Sequence, residues 1–172
     1  MIIYEDTRQQ AGKHEAKHRW FERHGIELVR KKLDWGDYGR DGSNILIDTK
    51  SGLQEVCQNV GRDHDRFTRE LDGALRHGYR LVVLIEETKY STIADVARWM
   101  NTTCLRCNYR RSNMCDAKTT RCIKYRARPM QGQTLMKSIM SIGANHGCRF
   151  ELCNPSKAAA RICELLGVTV DE

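Results

Sequence analysis

Residues 34–50 read DWGDYGRDGSNILIDTK, and the order of residue types in this stretch governs how the rest of the chain is read. Its second half, 45–49 (ILIDT), is short, apolar and β-prone and reads as a strand, whereas 34–42 is rich in Gly and Asp and reads as a bend. Just upstream, 26–33 (IELVRKKL) is another candidate strand, so the unit reads as a hairpin with a long bend. Side chains two apart on a strand share a face, which sends Asp48 and Lys50 into the same space. The hairpin can bring Asp37 of the bend beside them. Two carboxylates that converge repel one another, and such a cluster is stable mainly when a cation neutralises it. Hard oxygen ligands select magnesium or manganese. Asp37 and Asp48 are therefore candidate ligands for Mg2+ or Mn2+, and Lys50 can orient a water or help deprotonate it. The plainer reading has Asp37 serving its turn and Asp48 pairing with Lys50 on a solvated strand end. Taken alone, D-x10-D-x-K is short enough to occur by chance.

Working outward, residues 2–5 (IIYE) form a first candidate strand leading into Asp6-Thr7-Arg8. Residues 11–24 place Ala16, Trp20 and Phe21 at helical spacing before Gly25. His14, His18 and His24 lie on this helix; an exposed polar face is the plain reading, a metal clip at the first pair the sharper one. Downstream, 51–57 and 63–76 carry helical apolar spacing, with Phe67, Leu71, Ala74 and Leu75 in the second and His77-Gly78 ending it. The run 80–86 (RLVVLIE) is continuously apolar, as in a strand buried on both faces and central in its sheet. Residues 134–142 read as a helix, 149–153 (RFELC) as a strand, and 156–166 as a closing helix with Ser156 as N-cap. The order is α/β throughout.

With 172 residues there is room for one domain, 1–172, and a single elaboration. Apolar residues at 40%, charged residues at 30% and only two prolines exclude global disorder. No run of 18 apolar residues occurs and acid lies within the first six, so neither a membrane span nor a signal peptide is expected. The expected compartment is the reducing cytoplasm, where eight cysteines serve as thiols or metal ligands rather than disulfides. The net charge of +7 favours a polyanionic partner, nucleic acid first.

The elaboration is 101–128, which lacks hydrophobic periodicity and reads as an insertion. It holds Cys104-x2-Cys107-x7-Cys115-x6-Cys122, a spacing that suits tetrahedral Zn2+ ordering a loop without a core. Reduced surface thiols, or Cys104 and Cys107 paired with Cys148 and Cys153, are the alternatives. Cys57, Cys148, Cys153 and Cys163 sit among apolar neighbours, as small core residues do. Arg106, Arg110, Arg111, Lys118, Arg121, Lys124, Arg126 and Arg128 crowd the insertion against one acid, Asp116, with Tyr109 and Tyr125 among them. Phosphate contacts with occasional base stacking are the natural use, a solvated charged loop the bland one.

Four stations in order resemble the XPF-type nuclease domain, a branch of the PD-(D/E)xK nucleases: IIYEDTRQQ, GDY at 36–38, IDTK at 47–50 and LVVLIEE. The family shows a strand ending in D-x-R-E, then G-D-Y, E-R-K-S and an apolar strand ending in I-E. The resemblance implies a restriction-endonuclease-like mixed sheet flanked by helices. It also implies that Asp37 and Asp48 hold the divalent ion, Lys50 positions the attacking water, Asp6 supports the metal shell and Arg8 matches the arginine of D-x-R-E. Gln9 stands where the family has glutamate, Asp48 where it has the longer glutamate, and Thr49 where it has arginine. Aspartate and an uncharged middle residue both occur in the wider group. The family's R-x-x-x-Q is only loosely echoed by RFTRE at 66–70. The tail from Gln133 resembles the family's helix, strand and helix. The implied activity is Mg2+-dependent cleavage of branched, flap or junction DNA by a stand-alone domain; the alternative is a non-catalytic nucleic-acid-binding module of the same fold. Family members dimerise through their C-terminal helices, for which Leu135, Met136, Ile139, Met140, Ile162, Leu165 and Leu166 would serve, unless they simply pack on the sheet.

Overall fold

A strand as apolar as RLVVLIE must be covered on both faces, and the arrangement of the other elements follows from that requirement. The computed structural model describes residues 1–9, 14–115, 121–125 and 127–170. Its strands are β1 (Ile2–Asp6), β2 (Glu27–Lys31), β3 (Tyr38–Gly39), β4 (Ile45–Lys50), β5 (Arg80–Glu86) and β6 (Arg149–Cys153). Its helices are α1 (Glu15–Arg23), α2 (Leu53–Val60), α3 (His64–Arg76), α4 (Thr102–Leu105), α5 (Asn108–Arg111), α6 (Gly132–His146) and α7 (Ala158–Leu165). Single 3-10 turns span Ala94–Arg98 and Pro155–Lys157. The strands form one mixed sheet in the order β2-β1-β3-β4-β5-β6. β1 and β2 run parallel, as do β4, β5 and β6, while β3 is antiparallel to both of its neighbours.

Alternation along β5 divides its side chains between two cores. Leu81, Val83 and Ile85 join Leu46 and Phe150 beneath α2, α3 and α6, against Val56, Phe67, Leu71, Leu135 and Ile139. Val82 and Leu84 join Ile3, Tyr38 and Ile47 beneath α1 and α7, against Phe21, Ile162 and Cys163. Each of these aliphatic side chains contributes about 2 kcal/mol through burial, so the central strands dominate the stability of the sheet. The expectations of an α/β mixed sheet flanked by helices and of an interior 80–86 strand both hold.

The hairpin does not. β2 and β4 are not neighbours, because Glu27, Arg30 and Lys31 are exposed charges and suit only a sheet edge, where they also blunt further strand pairing. The fully buried Tyr38 ring instead draws a two-residue strand between β1 and β4, and the true hairpin is β3–β4. The first helix begins later than expected, at Glu15; residues 10–13 lie outside the described part. Ser156 is not the N-cap of α7. Asn154 caps the preceding 3-10 turn, accepting from Ser156 N at 3.0 Å and Ser156 Oγ at 2.8 Å. α6 is longer than the expected 134–142, running from Gly132 to His146 before Gly147, whose φ of 62° closes the helix in the left-handed region.

Of the apolar residues offered for a dimer surface, Leu135, Ile139, Ile162 and Leu166 are consumed by the two cores, and Met140 is exposed. Cys57 and Cys163 are buried as expected, and burial pushes the Cys163 thiol up to about 11 and the Cys148 thiol up to about 12. Among the described residues no helix is long and apolar enough to cross a membrane.

Candidate active site

The sheet's parallel half ends, at the C-termini of β4 and β5, in a cavity of about 290 Å³. Asp37, Asp48, Lys50 and Thr49 line it from the sheet, with Gln9, His14 and Lys17 from the β1–α1 side. Three of the five residues expected to do chemistry thus face one space.

Asp37 arrives there through its glycine. Gly36 has a φ of 68°, and a Cβ on it would sit 3.0 Å from the Ile47 carbonyl oxygen and 3.1 Å from Leu81 Cδ2. Only glycine allows the chain to turn so tightly against β4. The next residue is then clamped: Asp37 N donates to Ile47 O at 2.7 Å, and Asp6 N donates to Asp37 O at 2.8 Å. Its carboxylate is oriented as firmly. Thr49 donates to Oδ2 from its backbone N at 2.7 Å and from Oγ1 at 2.6 Å, and Gln9 Nε2 donates to Oδ1. The uncharged middle residue of the D-T-K triplet therefore has its own task, holding the first carboxylate.

Asp48 continues the buried face of Leu46 and is 5% exposed. Lys50 Nζ donates to Oδ1 at 2.8 Å and lies 2.8 Å from Oδ2 as well. Oδ2 is buried and, although ion-paired with Lys50, has no hydrogen-bond partner. Burial pushes the Asp48 carboxyl up to about 7; the Lys50 charge opposes this and the Asp37 charge adds to it. For Lys50, burial works against the ammonium, but Asp48 and then Asp37 outweigh it and hold the group above the ordinary lysine value.

Asp6 and Arg8 are placed differently. Arg8 Nε donates to Asp6 Oδ2 at 2.5 Å, Arg8 Nη2 to Leu33 O at 2.7 Å, and Leu33 N to Asp6 Oδ1 at 3.4 Å. The pair ties β1 to the chain leaving β2, and neither residue lines the cavity. Asp6 acts on the site through its backbone, by holding Asp37.

Sequence reasoning did not place Gln9, His14, Lys17 or Glu86 in this cavity. His14 Nε2 lies 2.8 Å from Gln9 Oε1, so a relay His14–Gln9–Asp37 runs along one wall. Burial, reinforced by the Lys17 charge, lowers the His14 pKa, and the ring is neutral at pH 7, donating from Nε2. Lys17, nearly fully buried, pairs with Glu86 at the end of β5. The signal was there: 14, 17 and 21 share a helical stripe, and Phe21 is fully buried, so that stripe faces inward. His18 borders the same stripe on its other side and reaches buried Glu5 at 2.8 Å, while His24 stacks on Trp20 at 3.9 Å. No histidine clip forms.

The described part of the basic, cysteine-rich segment 101–128 is rooted beside this cavity. Thr102 donates from N at 3.0 Å and Oγ1 at 2.8 Å to Gln54 Oε1, next to cavity-lining Glu55 in the first turn of α2. Asn101 closes the neck, donating to Met130 O at 3.2 Å. Arg106, Arg111, Arg121 and Lys124 are exposed and Arg110 and Arg128 half-buried, with Lys124 Nζ 5.5 Å above the Tyr125 ring. Lys118 and Arg126 lie outside the described residues.

No family model matches the chain, and no curated protein does. Among solved structures, XPF from Aeropyrum pernix superposes with a TM-score of 0.58 at 15% sequence identity. The match covers 96% of this chain and 63% of that one. The chain has an XPF-like fold. It spans less than two thirds of the XPF chain.

Proposed function

We propose that the chain is a metal-dependent endodeoxyribonuclease that hydrolyses phosphodiester bonds in branched, flap or junction DNA. The observation that carries this reading is that Asp37, Asp48 and Lys50 share one cavity in which a buried carboxylate oxygen, Asp48 Oδ2, has no hydrogen-bond partner. That oxygen is ion-paired with Lys50 at 2.8 Å but accepts no hydrogen bond, and a hard cation is a ligand that an incompletely satisfied buried carboxylate suits. Mg2+ or Mn2+ fits this donor set of two carboxylates, with Asp37 and Asp48 as the ligands. When bound, it supplies Lewis-acid stabilisation of charge at the scissile phosphate.

The rest falls to the chain's own residues. Thr49 and Gln9 fix both oxygens of Asp37, so no side-chain reorientation is needed when substrate arrives. Lys50, anchored on Asp48 with three donors on its ammonium, orients the attacking water and faces the negative charge of the phosphate. Neutral His14 keeps Gln9 turned toward Asp37. The basic insertion, rooted one residue from Glu55, grips an arm of the substrate through its exposed arginines and Lys124. The alternative is a non-catalytic nucleic-acid-binding module of the same fold; the presence of Asp37, Asp48 and Lys50 together in one cavity favours the enzyme. A homodimer through the C-terminal helices would rest on Met136, Met140 and Leu165, and sedimentation at twice the chain mass would support it.

The test is cleavage of labelled duplex, flap, fork and four-way-junction DNA by the parent and by Asp48→Asn, with and without magnesium. The expected result is magnesium-dependent cutting by the parent, none by the variant, and DNA binding by both. Equal cutting by a repurified variant would refute the assignment.

A further inference from the structure

None of the eight cysteines has a task in the chemistry above, and four of them fall within 104–122. Cys104, Cys107, Cys115 and Cys122 line a single cavity of about 20 Å³, and none of them is in a disulfide. A space of that size admits about one water-sized body. The described segments around it have no apolar core to hold them. Leu105, Tyr109, Met114, Ile123 and Tyr125 are all exposed, and Cys107 is the one apolar side chain of the described insertion that is buried. α4 and α5 are four residues each, too short to persist without packing. Something other than hydrophobic burial has to hold the walls together.

We propose that it is a structural zinc ion, bound by the thiolates of Cys104, Cys107, Cys115 and Cys122. Thiolate donors without a water-filled coordination position suit a closed tetrahedral Zn2+ site. Two further features of the cavity fit that ion. Gln131 Nε2 donates to Cys104 Sγ at 3.2 Å, and a donor to sulfur stabilises the thiolate over the thiol. Arg110, Arg121 and Arg128 line the same cavity. Four thiolates around one divalent ion carry a net charge of about −2, and guanidinium groups supply the opposite sign. The binding step balances as one Zn2+ taken up and four thiol protons released to solvent. Among the described residues no three Cys, His, Asp or Glu side chains stand in a ready-made metal-holding group, so the ion finishes the site by drawing the sulfurs inward to about 2.3 Å. A space for a single ion favours zinc over an iron–sulfur cluster, which needs room for several irons and sulfides.

The inference does not depend on the nuclease reading, and its test involves no cleavage. The full chain is purified without chelator from zinc-supplied culture, and its zinc, iron and acid-labile sulfide are measured. One zinc per chain is expected, with neither iron nor sulfide. Cys107→Ser and Cys122→Ser should each lose most of the zinc, while Cys148→Ser, outside the cavity, keeps it. Because either serine variant could misfold, cobalt exchange into the parent chain gives an independent reading: intense thiolate-to-cobalt absorption with tetrahedral d–d bands. Zinc-free protein that takes up no cobalt, iron with sulfide, or zinc retained by both variants would each overturn the proposal.

Discussion

The carboxylate cavity and the cysteine cavity are built in opposite ways. The first is held by the sheet: Asp37 is clamped by hydrogen bonds from Asp6 and Thr49 and to Ile47, and Asp48 and Lys50 are side chains of an interior strand. The second is held by two one-turn helices and a neck, with almost no buried apolar surface. A site made by a sheet exists before its ligand does, and can hold an electrostatically unfavourable group such as the buried Asp48 carboxyl, one oxygen of which accepts no hydrogen bond. A site made by a loop has to be completed by what it binds. Losing the cation from the first should change chemistry; losing it from the second should change shape.

That contrast can be broken most severely at Asp48. Asp48→Asn keeps the volume and removes the charge, so cleavage should fall by roughly a thousandfold, equivalent to about 4 kcal/mol of transition-state stabilisation. Single-turnover kinetics would read it, and near-parental rates would show that the sheet cavity is not the reactive one. Next is Gly36→Ala, which combines left-handed strain with a close approach to Ile47 O and Leu81 and should cost about 3 kcal/mol in urea denaturation. Gly25→Ala is the internal comparison: its φ is 66°, but nothing lies within 4 Å of the added Cβ, so about 1 kcal/mol is expected. Equal losses at both positions would mean that the turn carrying Asp37 is not tightly fitted.

A smaller effect tests the electrostatic frustration itself. Because burial raises the folded-state pKa of Asp48 to about 7, above the about 3.9 of an unfolded aspartate, the native state retains a proton that the unfolded chain has lost. In magnesium-free buffer that contribution is fully present below about pH 4 and lost as pH rises through about 7. Parental stability should then drop by about 2 kcal/mol between about pH 5 and about pH 7, and Asp48→Asn should flatten the drop. Identical pH profiles would place the strain elsewhere. The smallest effect belongs to the insertion's surface: replacing exposed Arg111 and Lys124 with alanine should leave folding intact and reduce the salt slope of DNA binding by about 0.9 per lost phosphate contact. An unchanged slope would remove the insertion from the DNA interface.

Much of the fold was legible because its strongest signals are local. RLVVLIE needs two covered faces wherever it lies, G-D-Y announces a turn that only glycine can make, and the D-x-K spacing puts two side chains on one face of a strand. Strand order was not legible. It depends on which residues the assembled sheet can bury: the charges of IELVRKKL point to an edge without saying which one, and nothing says that Tyr38 will pull a two-residue strand into the middle. The site divided along the same line. Asp37, Asp48 and Lys50 are fixed by turn and strand chemistry, while Asp6 and Arg8 are diverted to Leu33 by contacts across the fold. Gln9 and His14 meet Asp37 only once α1 is docked, although the inward stripe shared by His14, Lys17 and Phe21 was available in the sequence.

The most direct test of the central claim is titration calorimetry of the zinc-loaded chain with manganese, without DNA, for the parent and Asp48→Asn. The account expects saturable binding at a single site in the parent and none in the variant. No heat in the parent, or the same isotherm in both, would contradict it.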